Sequence, residues 1–292
     1  PDYIDPMWLK LASGNECHNL DPYLMGAQGC LDSFSRHGIK SGMALIEGNH
    51  GLHDGMSLDG SDSSAGLANL LKSPVLLVIN SRGMNRGAAA LVTGMQKMKP
   101  EPNIVGVILN HVRTHRQEDK QKSAIENHCG VPVVGSIPND EAVVIPERYL
   151  GLTTVDEIES ASIIISQAGE LVAKYCDMNA IQSFFKEELT LVDSVNDNDI
   201  SSKDSSIKIG VFNDPAFCFY YPENLEALRK HGAELFFINS LHDSIIPDIN
   251  GLYIGGGFPE SFFEELSNNS KLLSDVKDRI SSGLPVYAEC GG

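Results

Sequence analysis

The sequence predicts an α/β protein of two domains, each built on a parallel sheet covered by helices. Three observations carry this reading. Short apolar runs rich in β-branched residues alternate with amphipathic stretches over residues 43–176. A polar segment rich in Asp, Ser and Asn, "DSVNDNDISSKDSS" (193–206), then interrupts the pattern. The alternation starts afresh at residue 207 and runs to residue 292. The expected boundaries are therefore a first domain over 1–190, a linker over 191–206 and a second domain over 207–292.

In order along the chain, "MALIEGN" (43–49), "PVLLVIN" (74–80) and "NIVGVILN" (103–110) read as buried strands. Each is a short apolar run bounded by Pro, Gly or Asn. Helices are expected over "SSAGLANLLKS" (63–73), "RGAAALVTGMQKM" (86–98) and "DKQKSAIENHCG" (119–130), the last leading into a strand, "VPVVGSIP" (131–138). "ESASIIISQAGELVAKYC" (159–176) reads as one long amphipathic helix. In the second domain, "IKIGVFND" (207–214), "AELFFINS" (233–240), "INGLYIGGG" (249–257) and "LPVYAECGG" (284–292) are strands running into turns. "YYPENLEALRKHG" (220–232) is a helix with a glycine stop, and a single helix is expected through "SFFEELSNNSKLLSDVKDRISSG" (261–283). The chain shows no internal repeat.

A chain of 292 residues, 42% hydrophobic and 21% charged, has the composition of a globular protein. No apolar run reaches the roughly 18–20 residues that span a membrane, so a membrane partner is not expected. The net charge of −17 comes with no basic face, which argues against a nucleic-acid partner. Anionic ligands must then be met by local groups or by a metal ion. The six cysteines, Cys17, Cys30, Cys129, Cys176, Cys218 and Cys290, form no Cys-x-x-Cys pair. They read as reduced thiols in the cytoplasm, and Cys290 alone sits in a reactive context.

"VYAECGG" places Cys290 where a strand ends and small residues follow. A nucleophile on such a tight turn projects above the sheet, and the Gly291 N–H can face a developing oxyanion. "YIGGGFPE" (253–260) supplies a second glycine turn after a strand. Alone, Cys-Gly-Gly reads equally well as a structural cysteine at a strand end. At the other end of the chain, "PDYIDP" (1–6) sets Asp2 and Asp5 beside prolines, and "IEGNHGLHDG" (46–55) sets Glu47 at a strand end with Asp54 beyond glycines. These acids read either as turn residues or, on strand ends facing a crevice, as oxygen ligands for Mg²⁺.

The glycine turn followed some thirty residues later by Ala-Glu-Cys-Gly-Gly resembles the class I glutamine amidotransferase domain, a flavodoxin-like α/β fold. The ordered motifs "PDYIDP", "NLDPYLMG", "IEGNHGLHDG", "PVLLVINSRGMNRGAAALVTG", "GVILN", "PVVGSIP" and "PERYLGL" resemble the cobyrinic acid a,c-diamide synthase family. Its first domain is a P-loop, dethiobiotin-synthetase-like parallel sheet. The resemblance implies ATP- and Mg²⁺-dependent activation of the a- and c-acetate carboxylates of a tetrapyrrole, with ammonia drawn from glutamine. It implies Cys290 as the nucleophile and Gly256 and Gly291 as the oxyanion hole. It further implies Asp2, Asp5, Glu47, Asp54, Asn110 and Arg148 in ATP and carboxylate handling, with Asp5 and Glu47 as metal ligands. A homodimer is an admitted state.

The chain departs from the family pattern in several places. It contains no Gly-Lys dipeptide, so the phosphate-binding loop is expected upstream of "PDYIDP". The general-base histidine is expected downstream of Cys290, because His231 and His242 match no family position. Both ends of a longer protein are therefore expected to be absent. Tyr149 stands where His is common, Asn49 and His50 replace apolar residues, and "VRTHRQ" (112–117) is rearranged. These changes leave open an amidase of sirohaem or nickel sirohydrochlorin. A partitioning-type P-loop ATPase and a non-catalytic fragment are the readings from other classes, and the Cys290 turn argues against the first.

Overall fold

The computed structural model describes residues 2–38, 43–148, 151–185 and 207–292; the expected linker, 191–206, and Tyr149 lie outside them. The first elements are helices α1 (Ile4–Ser13), α2 (Pro22–Gly38) and α3 (Ser64–Leu70). There follow β1 (Val75–Asn80), α4 (Gly87–Lys97), β2 (Ile104–Val112), α5 (His115–Cys129) and β3 (Val133–Pro138). A short hairpin of β4 (Glu147–Arg148) and β5 (Gly151–Leu152) precedes α6 (Ala161–Tyr175) and α7 (Met178–Ser183). The last elements are β6 (Ile207–Phe212), α8 (Pro222–Lys230), β7 (Ala233–Ile238), β8 (Gly251–Ile254), α9 (Phe263–Asn268), α10 (Ser270–Ser281) and β9 (Val286–Ala288).

Packing divides these residues into two units. One holds the described residues of 20–146 and 160–185; the other holds those of 2–19, 147–159 and 207–292. Helix α1 and the β4–β5 hairpin, both ahead of the expected linker, thus pack with 207–292 rather than with the rest of 1–190.

In the first unit β1, β2 and β3 form a parallel sheet in that order, with Asn80 opposite Asn110 at the carboxyl ends. One face buries Leu77, Ile79 and Leu109 against Ala88 and Val92 of α4 and Ile125 of α5. The other face meets Cys176 and the α6–α7 side chains Val172 and Ile181, with Phe184 beyond them. Glycines on the strands let this second layer close: a Cβ on Gly135 would lie 2.5 Å from Cys176 Sγ, and one on Gly106 2.8 Å from the Phe184 ring. Both faces are covered, as the alternating pattern predicts. Helix α5 begins on Thr114, whose hydroxyl accepts from Gln117 N, and ends on left-handed Gly130. On its inner face Gln121 is fully buried, and its Nε2 donates to Ser81 O (2.9 Å) and Met84 O (2.8 Å). Gln117, one turn earlier, donates to the same two carbonyls (2.9 and 3.1 Å). Two side chains thereby satisfy the backbone of the loop that joins β1 to α4.

The second unit carries a four-stranded parallel sheet, β7-β6-β8-β9, the order of a flavodoxin-like fold. Its core gathers Phe212, Phe217, Ile238, Ile246, Leu252 and Leu272. Buried Asp214 follows β6 and accepts from Ala216 N (2.9 Å), Phe217 N (3.1 Å) and Ser240 N (2.5 Å), which fixes the loop above the sheet. Residues 2–19 are bound to this unit by three kinds of contact. Tyr3 stacks between Phe219 (5.1 Å between centroids) and Tyr221 (4.3 Å). Trp8 Nε1 donates to Thr153 O (3.0 Å). Glu223 Oε1, in the first turn of α8, meets both Asn19 N (2.9 Å) and His18 Nδ1 (3.1 Å).

Two expectations are corrected. Residues 43–49 form no strand: Leu45 is 85% and Met43 61% exposed, and the segment has no ladder partner among the described residues. A parallel strand is held by its neighbours' backbone, and an apolar run alone cannot supply that. Glu47 therefore does not sit at a strand end. The helix expected over 261–283 is broken at Asn269, whose Nδ2 donates to Ser240 O and Asp243 O (both 2.8 Å) while its Oδ1 caps α10 through Leu272 N (3.4 Å). A residue bound to a neighbouring loop in this way ends one helix and starts the next.

The His18–Glu223 pair gives a pH signature. Burial favours the neutral forms of both groups, but their mutual hydrogen bond and charge prevail, raising His18 above its ordinary 6.5 and lowering Glu223 below 4.5. The histidine's share of stability is complete below 6.5 and is lost as pH rises through its raised value. The glutamate's share is complete above 4.5 and is lost as pH falls through its depressed value. Glu223→Gln should cost about 1 kcal/mol between roughly pH 5 and pH 6, and the deficit should shrink at higher pH. Thermal unfolding of both forms across pH checks this; a pH-independent deficit would refute the ion pair.

Candidate active site

Strands β8 and β9 are parallel neighbours with Tyr253 opposite Tyr287 and Ile254 opposite Ala288, so both release their chains at the same edge of the sheet. Glu289 N donates to Ile254 O (3.0 Å), extending the ladder by one residue, and Gly292 N donates back to Glu289 O (2.7 Å) to close a turn. Cys290 sits within that turn at φ +51°, a left-handed conformation that a non-glycine residue adopts at a cost. It is exposed, so the turn presents the thiol to solvent above the strand ends. A backbone forced into this shape beside two glycines is the arrangement of a nucleophile elbow.

The glycine turn after β8 packs directly against it. A Cβ built on Gly256 would lie 3.2 Å from Cys290 Cβ, and one on Gly291 would lie 2.9 Å from Pro259 Cδ and 3.2 Å from Gly257 O. Gly257 has φ +156°, and a Cβ there would lie 2.1 Å from Ala216 O. The structure therefore brings Cys290, Gly291 and Gly256 together.

All six cysteines are free, and Cys290 is the one that is exposed. Burial raises the thiols of Cys30 and Cys176, and Cys218 is pushed up to about 12 by burial and by the charges of Asp156, Glu157 and Asp214. Those three remain protonated at neutral pH and are inert as nucleophiles. A cavity of about 550 Å³ opens in the same unit and is lined by Asn224 and His231, and by Tyr253, Tyr287 and Glu289. Cys290 does not line it. His231 Nδ1 lies 2.8 Å from Ala227 O. Burial, followed by the Glu289 charge, pushes the Tyr253 hydroxyl up to about 12.

In the same unit Asp2 and Asp5 open α1. Asp2 Oδ1 accepts from Ile4 N (2.7 Å) and Asp5 N (3.1 Å), so one expected ligand also caps the helix. Burial, followed by the charge of Asp2, raises the Asp5 carboxyl. This all-oxygen pair, with one carboxylate whose charge is poorly compensated, suits a hard divalent cation in donor type. Arg148 ends β4, opposite Gly151 of β5.

Glu47 and Asp54 belong to the other unit, both on irregular, exposed chain; Asp54 N closes a turn on Gly51 O (2.9 Å). Asn110 ends the run that pairs with β1, and its Oδ1 accepts from His111 N (2.9 Å). Around it lies a cluster that the sequence reading does not single out. Arg82 Nη2 donates to Asn139 Oδ1 (2.7 Å), and His111, held at φ +59°, places Nδ1 2.9 Å from the same oxygen. Arg82 follows β1, His111 is the last residue but one of β2 and Asn139 follows β3, so they converge at the carboxyl ends of the sheet, where parallel sheets bind ligands. The available signal was three polar residues, each just past an apolar run.

Residues 208–292 match the model of the CobB/CobQ-like glutamine amidotransferase domain, and residues 35–147 match that of an AAA domain. Proteins named cobyrinate a,c-diamide synthase from Magnetococcus marinus, Archaeoglobus fulgidus and Methanobrevibacter smithii are 42%, 40% and 39% identical, each over 100% of this chain. The chain spans 64% of the length of the first two relatives and 65% of the third. No solved structure is a significant match.

Two outcomes follow from this geometry. Gly257→Ala should destabilise the protein by about 3 kcal/mol, since the new methyl meets a backbone oxygen that cannot move aside; denaturant unfolding measures it. Asp5→Asn should raise the melting temperature at neutral pH, because it removes a charge that the fold disfavours. A raised carboxyl costs stability above its folded pKa, and that cost vanishes below the ordinary carboxylate range. The gain should therefore be absent near pH 3.

Proposed function

We propose that this chain, a homologue of the cobyrinate a,c-diamide synthases along its entire length, is part of a glutamine- and ATP-dependent amide synthase acting on acetate carboxylates of a tetrapyrrole. The observation that carries the reading is Cys290: an exposed thiol on a left-handed turn, packed against Gly256, inside a matched amidotransferase domain.

In this reading the Cys290 thiolate adds to the side-chain amide carbon of glutamine, and the electron pair of the C=O bond moves to oxygen. Backbone N–H groups of Gly256 and Gly291 meet that oxyanion. Its collapse breaks the C–N bond, the nitrogen leaves with a proton as ammonia, and a thioester remains on Cys290. Water then hydrolyses the thioester to glutamate and restores the thiol. The AAA domain supports ATP as the activating reagent. A substrate carboxylate takes the terminal phosphoryl group, ADP departs, and ammonia displaces phosphate from the acyl phosphate to form the amide.

The chain's own residues fit parts of this scheme. Asp2 and Asp5, with Glu47 and Asp54, are the carboxylates proposed for Mg²⁺ and carboxylate handling; the metal, when bound, would mask repulsion between phosphoryl oxygens and the attacking carboxylate. Asn110, opposite the last residue of β1, is proposed to donate its amide to a nucleotide base, and Arg148 is proposed to meet a substrate anion. The a- and c-acetates of a cobyrinic-type corrinoid are the proposed acceptors.

The full-length Cys290→Ala protein should lose glutamine-dependent amidation by at least about a hundredfold, yet retain amidation when an ammonium salt replaces glutamine. Mass spectrometry of cobyrinic acid, with sirohaem as the comparison substrate, counts the amides formed. Unimpaired use of glutamine by the variant would remove Cys290 from the mechanism.

A further inference from the structure

Beside the elbow lies a residue that neither the motif nor the matched domain singles out. Tyr220 is half-buried, and its hydroxyl accepts from Gly255 N (2.7 Å) while donating to Phe212 O. Phe212 ends β6, and Gly255 begins the glycine turn after β8. One phenol oxygen therefore bridges the ends of two neighbouring strands at the point where the chain turns toward Cys290.

The ring is fixed as firmly as the hydroxyl. A Cβ on Gly255 would lie 2.6 Å from Tyr220 Cζ, so the tyrosine packs directly on that glycine's backbone. Tyr253 meets the ring edge-on, with centroids 5.1 Å apart and planes at 81°. The next residue along the turn is tied by the residue just before the tyrosine: Phe219 N donates to Gly256 O (3.0 Å). Phe219 and Tyr221, on either side of Tyr220, both stack on Tyr3. Segment 219–221 is thus gripped by its flanking rings, which leaves the hydroxyl one position.

We propose that Tyr220 is a positioning residue for the amidotransferase half-reaction: through Gly255 it holds the glycine turn at the spacing from Cys290 at which that turn's N–H groups meet the oxyanion. Both partners of its hydroxyl are backbone groups. It acts through the peptide between residues 254 and 255, whose N–H it holds, and so sets where the two adjoining glycines, which lack side chains to fix their backbone, place the next peptide. An oxyanion donor is effective only when aimed before the charge develops, so losing the anchor should weaken the transition state and spare ground-state binding. The inference rests on the assignment of Cys290 as nucleophile.

The test is Tyr220→Phe in the full-length protein, which keeps the ring and removes the hydroxyl. Glutamine hydrolysis should lose about tenfold in kcat with KM for glutamine changed by less than about twofold, while ammonium-dependent amidation stays at the wild-type level. Unchanged kcat in this variant, or a raised KM at full kcat, overturns the proposal. If Tyr220→Phe fails to fold, losing both activities together, a fluorinated tyrosine at position 220 keeps the size and weakens the oxygen as an acceptor. It should lower kcat alone, and wild-type kcat there also overturns the proposal. Failure of the underlying assignment looks different: Cys290→Ala would then still use glutamine.

Discussion

The parallel pairing of β8 with β9 is the constraint on which the candidate active site rests. Only because these strands run side by side in the same direction do their exit turns share an edge. The register is specified twice, by the ladder from Leu252 to Glu289 and by the Tyr253–Tyr287 ring contact (5.4 Å) on one face. A slip of one residue would turn each side chain to the opposite face and carry Cys290 away from Gly256. The strained φ of Cys290 is then sustained by what surrounds it: the closed turn from Glu289 to Gly292 and the glycine backbone of 255–257.

Much of this was legible in the sequence, and the pattern of misses has a physical explanation. Buried parallel strands such as 75–80 and 207–212 announce themselves by apolar β-branched runs, because both faces must be apolar. The Cys290 turn is equally local, a strand end with small residues beside it. Residues 43–49 misled because strandhood is a property of pairs, and among the described residues no strand pairs with this segment. The break at Asn269 depends on carbonyls of Ser240 and Asp243, some 26–29 residues earlier. Arg82, His111 and Asn139 become a cluster only through the strand order β1-β2-β3. Each miss is a contact that spacing along the chain does not encode.

Several polar residues serve two masters. Asp2 is proposed to take part in ATP and carboxylate handling, yet its side chain also binds the first N–H groups of α1, while Asp5 behind it carries a charge that the fold resists. That tension is the common mark of a binding site, where groups are kept for what they meet rather than for what they stabilise. Asp214 is the opposite case: three backbone N–H groups satisfy its carboxylate, and its work is architectural.

The discontinuous make-up of the second unit bears on how the protein is made. Tyr3, Trp8 and His18 are synthesised ahead of the first sheet, yet the partners of Tyr3 and His18 lie beyond residue 218, with Glu223 205 residues after His18. Helix α1 must therefore wait, with its aromatic side chains uncovered, through synthesis of the entire first sheet. Such long-range closure slows folding and leaves apolar surface open to misassociation in the interval. It also means that an amidotransferase module excised at residue 207 would lack the ring on which Phe219 and Tyr221 stack. That module therefore draws on residues 2–19 as well as on 207–292.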